Sequence, residues 1–326
     1  MTLDAKIISA LRSSASGVSG ADLCRQLGIS RAAIWSRIEA LRDLGYDIAA
    51  NPHTGYRLLD TPNRLLAADL QARLEKPRII GRDIHVLDQV TSTNDVIEQM
   101  TADNPTEGMV VFAESQTKGR GRLGRRWSSP SGKGLWFSIL LHPNLHPTEI
   151  TQLTAATATA LTRAIAAETS LRVEIKWPND LLLNGKKVAG ILTELQAELD
   201  QVHHVIIGIG INVQQSSSDF PAELRKTSTS LKTALGRSVD RPSLAIALLR
   251  ELDRDYSRIL DRQFEGLAEE WEARCDTLGQ HISIKVGGRT LCGRAEALDP
   301  NGALLLRTEH GRLEPITGGD ILILDN

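Results

Sequence analysis

Gly119-Arg120-Gly121-Arg122-Leu123-Gly124-Arg125-Arg126-Trp127 is the stretch on which the fold turns. It spells G-x-G-x-x-G behind a strand-like run, Met109-Val110-Val111-Phe112-Ala113, so a doubly wound dinucleotide fold has to be weighed first. Context argues against it. A dinucleotide fingerprint opens a helix, whereas Trp127-Ser128-Ser129-Pro130-Ser131-Gly132 is turn-forming. The arginines, with Lys118 beside them, make a basic run that contains no acid. Guanidinium forks pair bidentately with phosphate, and glycine lets the backbone wrap closely around a ligand. Taken alone, such a run is equally a solvated basic loop or a nucleic-acid patch.

The bulk properties narrow the class. A chain of 326 residues is long for one domain, and two or three are expected. Apolar content of 41% and charged content of 24% are ordinary for a soluble globular protein. A net charge of −2 offers no global attraction to nucleic acid, so any DNA contact must be local. The three cysteines are widely spaced and lack zinc-type spacing, which argues against a disulfide framework or structural zinc and for a reducing compartment. No signal-peptide core is present, and the longest near-apolar stretch, Val205 to Val213, is far short of a membrane span. A cytoplasmic protein is expected.

Periodicity divides the chain into three parts, an α+β multidomain arrangement. In residues 1–61, Leu3, Ile7 and Leu11 recur with helical period. A second helix opens at Ser19-Gly20-Ala21-Asp22, read as a capping box, and stops at Leu27-Gly28-Ile29. Ser30 then caps a third helix with inner face Ile34, Ile38 and Leu41. This is the helix-turn-helix pattern, and residues 47–50 and 56–59 read as the hairpin of a wing. Ser30, Arg31, Trp35, Arg37 and Arg42 are the candidate DNA contacts, through phosphate, guanine edges or the thymine methyl. Trp35 is equally placed to pack against the wing or the next domain. Basic and acidic side chains nearly balance here, so a monomer should bind DNA weakly, and two half-sites would need a dimer.

Residues 65–276 alternate strands and helices. Helices are expected at 65–75, 94–100, 148–168, 243–262 and 264–274. Strands are expected at 84–87, 109–115, 135–141 and 202–209, with a hairpin of 173–183 and 187–195 around Asn184-Gly185. Hairpins among these strands argue for a mixed, largely antiparallel sheet. Residues 277–326 change to five short strands with glycine turns, the pattern of a small barrel.

The arginine run resembles the G-R-G-R-x-G-R-x-W signature of biotin protein ligases at every fixed position. Further matches follow in order: Ser92-Thr93-Asn94, Gln116, Lys176-Trp177-Pro178-Asn179-Asp180, Lys187-Val188-Ala189-Gly190-Ile191-Leu192 and Gly208-Ile209-Gly210-Ile211-Asn212. The resemblance extends from the helix-turn-helix to the last strand. It implies a ligase of the kind that also represses transcription, a central sheet shared with class II aminoacyl-tRNA synthetases, and an SH3-like C-terminal barrel.

The implied chemistry suits these residue types. ATP converts a carboxylate into an acyl-adenylate, releasing pyrophosphate, and a lysine amine of a biotin carboxyl-carrier protein then displaces AMP. The first step crowds negative charge and needs fixed cations. Lys187, Arg122 and Arg120 are the catalytic candidates, since the chain has no Walker A sequence. Ser92, Thr93, Asn94, Gln116, Gly119, Arg120, Gly121, Arg122, Lys187 and Gly190 are the biotin-binding candidates. Arg122, Arg125, Trp127, Lys176, Asn179 and Asn212 are those for ATP, and Asp180 with Asn179 those for Mg2+. Ser-Thr-Asn ahead of a helix is also an ordinary N-cap, Lys186 and Lys187 also read as two turn lysines, and Arg125 and Arg126 either hold pyrophosphate or face water. The resemblance further implies operator DNA and a homodimer favoured by the adenylate. The alternatives are a lipoate-type ligase, a ligand-sensing repressor without catalysis, and a ligase whose N-terminal unit does not repress.

Overall fold

A computed structural model describes residues 1–74, 76–101, 106–198, 201–286 and 288–324. Two compact units emerge, one of residues 1–76 with 240–246 and one of 77–239 with 247–326.

In the first unit, α1 (Leu3–Arg12), α2 (Gly20–Leu27) and α3 (Arg31–Asp43) are capped by Thr2, Ser19 and Ser30, whose hydroxyls accept from backbone N–H groups. Ser19 caps as expected, but the box does not close: Asp22 accepts the serine hydroxyl at 2.7 Å instead of its backbone N–H. Gly28 ends α2 with φ 70°, a left-handed conformation that glycine adopts without a Cβ clash. Ile7, Ile8, Leu11, Leu23, Ile34, Ile38 and Leu41 close the core. Strands β1 (Asp47–Asn51) and β2 (Gly55–Asp60) pair antiparallel as the wing.

Helix α4 (Ala67–Leu74) was expected to open the central region, with its last residue, 75, outside the described residues. It instead joins the first core, burying Ala72 there while Asp69 accepts from Arg12 at 2.7 Å.

The second unit is built on a seven-stranded sheet. In chain order its strands and helices are β3 (Ile84–Val90), α5 (Thr93–Met100), β4 (Val110–Gln116), β5 (Gly134–Leu141), α6 (Thr151–Thr169), β6 (Glu174–Lys176), β7 (Asp180–Leu183), β8 (Lys186–Glu198) and β9 (Gln201–Asn212). The spatial order is β3-β4-β5-β9-β8-β7-β6, parallel only between β3 and β4. The sheet is therefore mixed and largely antiparallel, as the hairpins imply. The expected strand over 173–183 is broken at Trp177-Pro178-Asn179, and β6 and β7 pair with each other across the break. Pro178 supplies no N–H to a ladder and favours a turn. Helices α7 (Leu231–Leu235), α8 (Arg241–Leu260), of which residues 241–246 belong to the first unit, and α9 (Phe264–Glu272) follow. Strands β10 (His281–Val286), β11 (Arg289–Leu298), β12 (Leu304–Thr308), β13 (Leu313–Ile316) and β14 (Asp320–Ile323) form a small antiparallel sheet, ordered β13-β12-β11-β10-β14. No helix of the described residues is long and apolar enough to cross a membrane.

Arg163 on α6 donates to Glu251, Asp255 and Glu270 at 2.7, 2.6 and 2.6 Å, joining three helices behind the sheet. Asp255 is 1% exposed. Without Arg163, among the described residues Asp255 and Glu270 keep only Arg258, at 3.6 and 2.7 Å, and Glu251 keeps only Arg254 at 3.6 Å. Arg163→Met should therefore lower stability by about 1–3 kcal/mol in urea titration.

Candidate active site

Strands β8 and β9 run in register so that Gly190 faces Gly210 and Leu192 faces Gly208. These glycines leave a bare patch of sheet. A Cβ on Gly210 would lie 2.5 Å from the Trp127 indole, and one on Gly208 would lie 2.5 Å from Asn94 Oδ1. Trp127 and Asn94 thus rest directly on the backbone, and above them opens a cavity of about 460 Å³.

One wall is polar and uncharged. The Thr93 backbone N–H donates to Gln116 Oε1 at 2.9 Å, and Gln116 Nε2 donates to Ser129 Oγ at 2.8 Å. Thr93 Oγ1 and Ser138 Oγ are 2.6 Å apart, and Ser138 Oγ donates to Asn94 Oδ1 at 2.5 Å. Ser92 occupies the N-cap of α5, yet its side chain makes no capping hydrogen bond. It is 4% exposed and lines the cavity, which separates it from an ordinary cap.

The arginine loop forms a second wall. It folds into a small hairpin: Trp127 N donates to Gly119 O at 2.9 Å and Gly121 N to Arg125 O at 2.6 Å. At its tip Leu123 has φ 57° and is 72% exposed, an uncommon conformation for a leucine. Arg120 bonds Asp95 and approaches Glu194 at 3.3 Å. Arg125 bonds Asp320 at 2.6 Å. Lys187 pairs with Asp180 at 2.5 Å and sits 5.3 Å from the Trp127 ring centroid. Lys186 next to it is exposed, so strand alternation has turned only Lys187 inward.

Arg122 differs from these cations. It donates to the neutral Asn179 Oδ1 at 3.2 Å and has no carboxylate partner among the described residues. Burial pushes its pKa below the usual guanidinium value, although Asp320 and Asp180 act in the other direction. A half-buried, unpaired guanidinium is the group an incoming anion would stabilise most.

Every binding or catalytic candidate from residues 92–212 lines this cavity except Gly119. A Cβ on Gly119 would lie 2.6 Å from Trp127 O and 3.1 Å from Gln116 Nε2. Its role is close packing behind the wall, and it is not at the ligand face. The Asp180–Asn179 pair does not fit a resident metal ion. Asp180 faces Lys187, and Asn179 accepts from Arg122 while donating to Ile191 O at 2.6 Å. No group of three or more His, Cys, Asp or Glu side chains among the described residues is arranged to hold a metal. Asn212 Oδ1 accepts from Gln215 Nε2 at 2.9 Å.

The carboxylates opposite the arginines escaped sequence reading. Asp95 and Glu194 belong to no charged motif, and Asp320 arrives from the C-terminal sheet. Phe220, another lining residue, lies in an irregular segment without periodicity.

On α3 the candidate DNA contacts divide. Arg31 is exposed, and Trp35 is 59% exposed. Ser30 is used as a cap. Arg37 lies 3.8 Å from Asp4. Arg42 is turned inward, donating to Ile48 O in the wing at 3.0 Å and to Glu39 at 2.5 Å, so it braces the hairpin.

Fold and cavity define the class: a carboxylic-acid ligase unit joined to a helix-turn-helix unit. Residues 86–212 match the biotin/lipoate A/B protein ligase family, 4–57 an HTH domain and 277–324 the biotin protein ligase C-terminal domain. The chain is 38% identical over 304 residues to the bifunctional ligase/repressor BirA of Bacillus subtilis, covering 93% of each. Its Escherichia coli counterpart is 32% identical over 306 residues, covering 93% of this chain and 92% of that one. A structure of the Aquifex aeolicus biotin protein ligase with biotin and ATP superposes with a TM-score of 0.64 at 30% identity, covering 75% of this chain and all of that one. The chain belongs to the biotin protein ligases, in the form that carries an N-terminal helix-turn-helix.

Proposed function

We propose that the protein joins biotin to a lysine of a carboxylase's biotin carboxyl-carrier protein through biotinyl-5′-AMP, and that it represses transcription in response to biotin. The observation that carries the ligase reading is Arg122, a half-buried guanidinium without a carboxylate, beside Lys187 over a glycine floor.

In the first step a biotin carboxylate oxygen bonds the α-phosphorus of ATP as the bond to pyrophosphate breaks. Lys187 exchanges Asp180 for the biotin carboxylate, and Arg122 takes the α-phosphate, so both cations face the charge that develops. Ser92, Thr93, Asn94 and Gln116 offer hydroxyl and amide groups to the ureido ring. Arg125, Lys176, Asn179 and Asn212 surround the nucleotide, and Trp127 supplies the apolar surface between the two ligands. ATP is used as its Mg2+ complex, the ion arriving on the phosphates. In the second step the acceptor amine attacks the acyl carbon, AMP leaves and the amine proton passes to solvent. Enclosure by the arginine hairpin keeps water from the mixed anhydride. Such a reaction belongs in the cytoplasm, where ATP and the carrier are found.

Pyrophosphate release measured with biotin, lipoate or no acid tests this reading. Release with biotin alone is expected; equal release with lipoate, or none with either, would overturn it.

The repressor reading rests on the exposed Trp35 and Arg31 at the start of α3. The adenylate should favour a homodimer by binding the dimer-competent state more tightly, and the dimer then places two recognition helices on operator DNA. Arg31→Ala and Trp35→Ala should each weaken binding to a duplex selected by the unaltered protein by roughly 10- to 100-fold. Pyrophosphate release should be unchanged in both variants. Undiminished DNA binding would favour a ligase that does not repress.

A further inference from the structure

Glu194 lies on β8, opposite Ile206 of β9, and is not among the residues lining the cavity. Its Oε2 accepts from Asn94 Nδ2 at 2.7 Å, and the same oxygen lies 3.3 Å from Arg120 Nη2. A carboxylate only accepts hydrogen bonds, and Arg120 Nη2 lies 3.4 and 3.3 Å from its two oxygens. The amide nitrogen of Asn94 must therefore face Glu194.

The other end of the amide is fixed as well. Asn94 is 3% exposed, and its Oδ1 accepts from Ser138 Oγ directly over Gly208. A carbonyl oxygen has two lone pairs and Ser138 uses one. The second is left for a donor in the cavity, where Asn94 and Gly208 both line the wall. Without a charged acceptor behind it, the amide could rotate by half a turn and present N–H groups instead.

We propose that Glu194 is a positioning residue that fixes the amide of Asn94, and thereby makes the pocket select an acid whose ring carries an N–H donor. The inference rests on the ligase reading and deepens it, assigning the ureido N–H as the group recognised. Lipoate has no such donor, so the same device discriminates against it. Arg120 serves here as the clamp on Glu194, and Asp95 as the second carboxylate that holds Arg120 in place.

The test compares affinity for biotin and for the two biotins methylated on one or the other ureido nitrogen, in the unaltered protein, Glu194→Gln and Glu194→Asp. The unaltered protein should reject at least one methylated biotin by roughly 10- to 100-fold, because its buried carbonyl is left unpaired. In Glu194→Gln, whose amide tolerates either orientation of Asn94, that ratio should fall toward one, with KM for ATP unchanged. Glu194→Asp, which keeps the charge, should retain most of the discrimination. Thermal unfolding of each variant identifies a loss that merely follows destabilisation.

Two outcomes overturn the proposal while leaving the ligase reading intact: binding of both methylated biotins as tight as that of biotin by the unaltered protein, or an unchanged ratio in folded Glu194→Gln. Failure of the unaltered protein to bind biotin overturns the ligase reading itself.

Discussion

Arg122→Met is expected to slow biotin-dependent pyrophosphate release by about 100- to 1000-fold, the range found when one fixed donor to developing charge is removed. Stability should not fall with it. Arg122 is half-buried with only a neutral amide as partner, and burial already lowers its pKa. Methionine keeps much of the volume and removes an uncompensated charge. The unfolding temperature should therefore be equal or slightly higher while turnover collapses. That opposition of sign marks a residue kept for an anionic ligand. A loss of stability proportional to the loss of activity would instead assign Arg122 to the scaffold.

Lys187→Ala should give a similar loss of turnover with a different stability signature. It leaves Asp180 facing the cavity without its 2.5 Å partner. Lys187→Ala with Asp180→Asn should recover stability lost by the single change and recover no activity. The pair of variants separates the ammonium's work on the ligand from its work on the fold.

The second large effect is expected from the smallest substitution, Gly210→Ala. Its Cβ would meet Trp127 at 2.5, 2.6 and 2.8 Å, against Cε2, Nε1 and Cζ2. The ring can withdraw only off the sheet and into the cavity, where it would take the ligand's space. A Cβ on Gly190 would already lie 3.0 Å from it, and Trp136 stands edge-on at 6.3 Å. Displacing Trp127 should cost about 1–3 kcal/mol of stability, as overpacking does. It should also weaken biotin binding by roughly 100-fold or more, since a misplaced wall removes the pocket's shape. Adding Trp127→Ala to Gly210→Ala should restore stability and leave binding absent. Calorimetric titration with biotin and thermal unfolding of the single and double variants check both halves.

Much of the site was legible because its residues sit in short runs. Ser92-Thr93-Asn94, the arginine hairpin and the segment around Lys187 each carry several functional groups within a few residues. Alternation along a strand sufficed to turn Lys187 inward and Lys186 outward. The helix caps and the glycine at the end of α2 were readable for the same reason: a cap bonds to an N–H a few residues away. The helix expected at 65–75 belongs by sequence to the central region, yet Ala67–Leu74 packs into the first core, because helical period reveals an apolar face and not the partner that covers it. Arg42 was read as facing DNA and instead braces the wing, because Ile48 O lies within its reach only once the hairpin has folded back.

Local pattern in the sequence by itself determined the helix-turn-helix, the mixed sheet, the small C-terminal sheet and the cluster of cations. These depend on interactions between residues near one another in the chain. Only the tertiary structure decided which cations are already neutralised. Arg125 meets Asp320 across 195 positions, and Asn94 meets Glu194 across 100. No periodicity relates such pairs. Electrostatic energy depends on distance and burial in space, and both come into being only when the sheet and the C-terminal strands bring those side chains together.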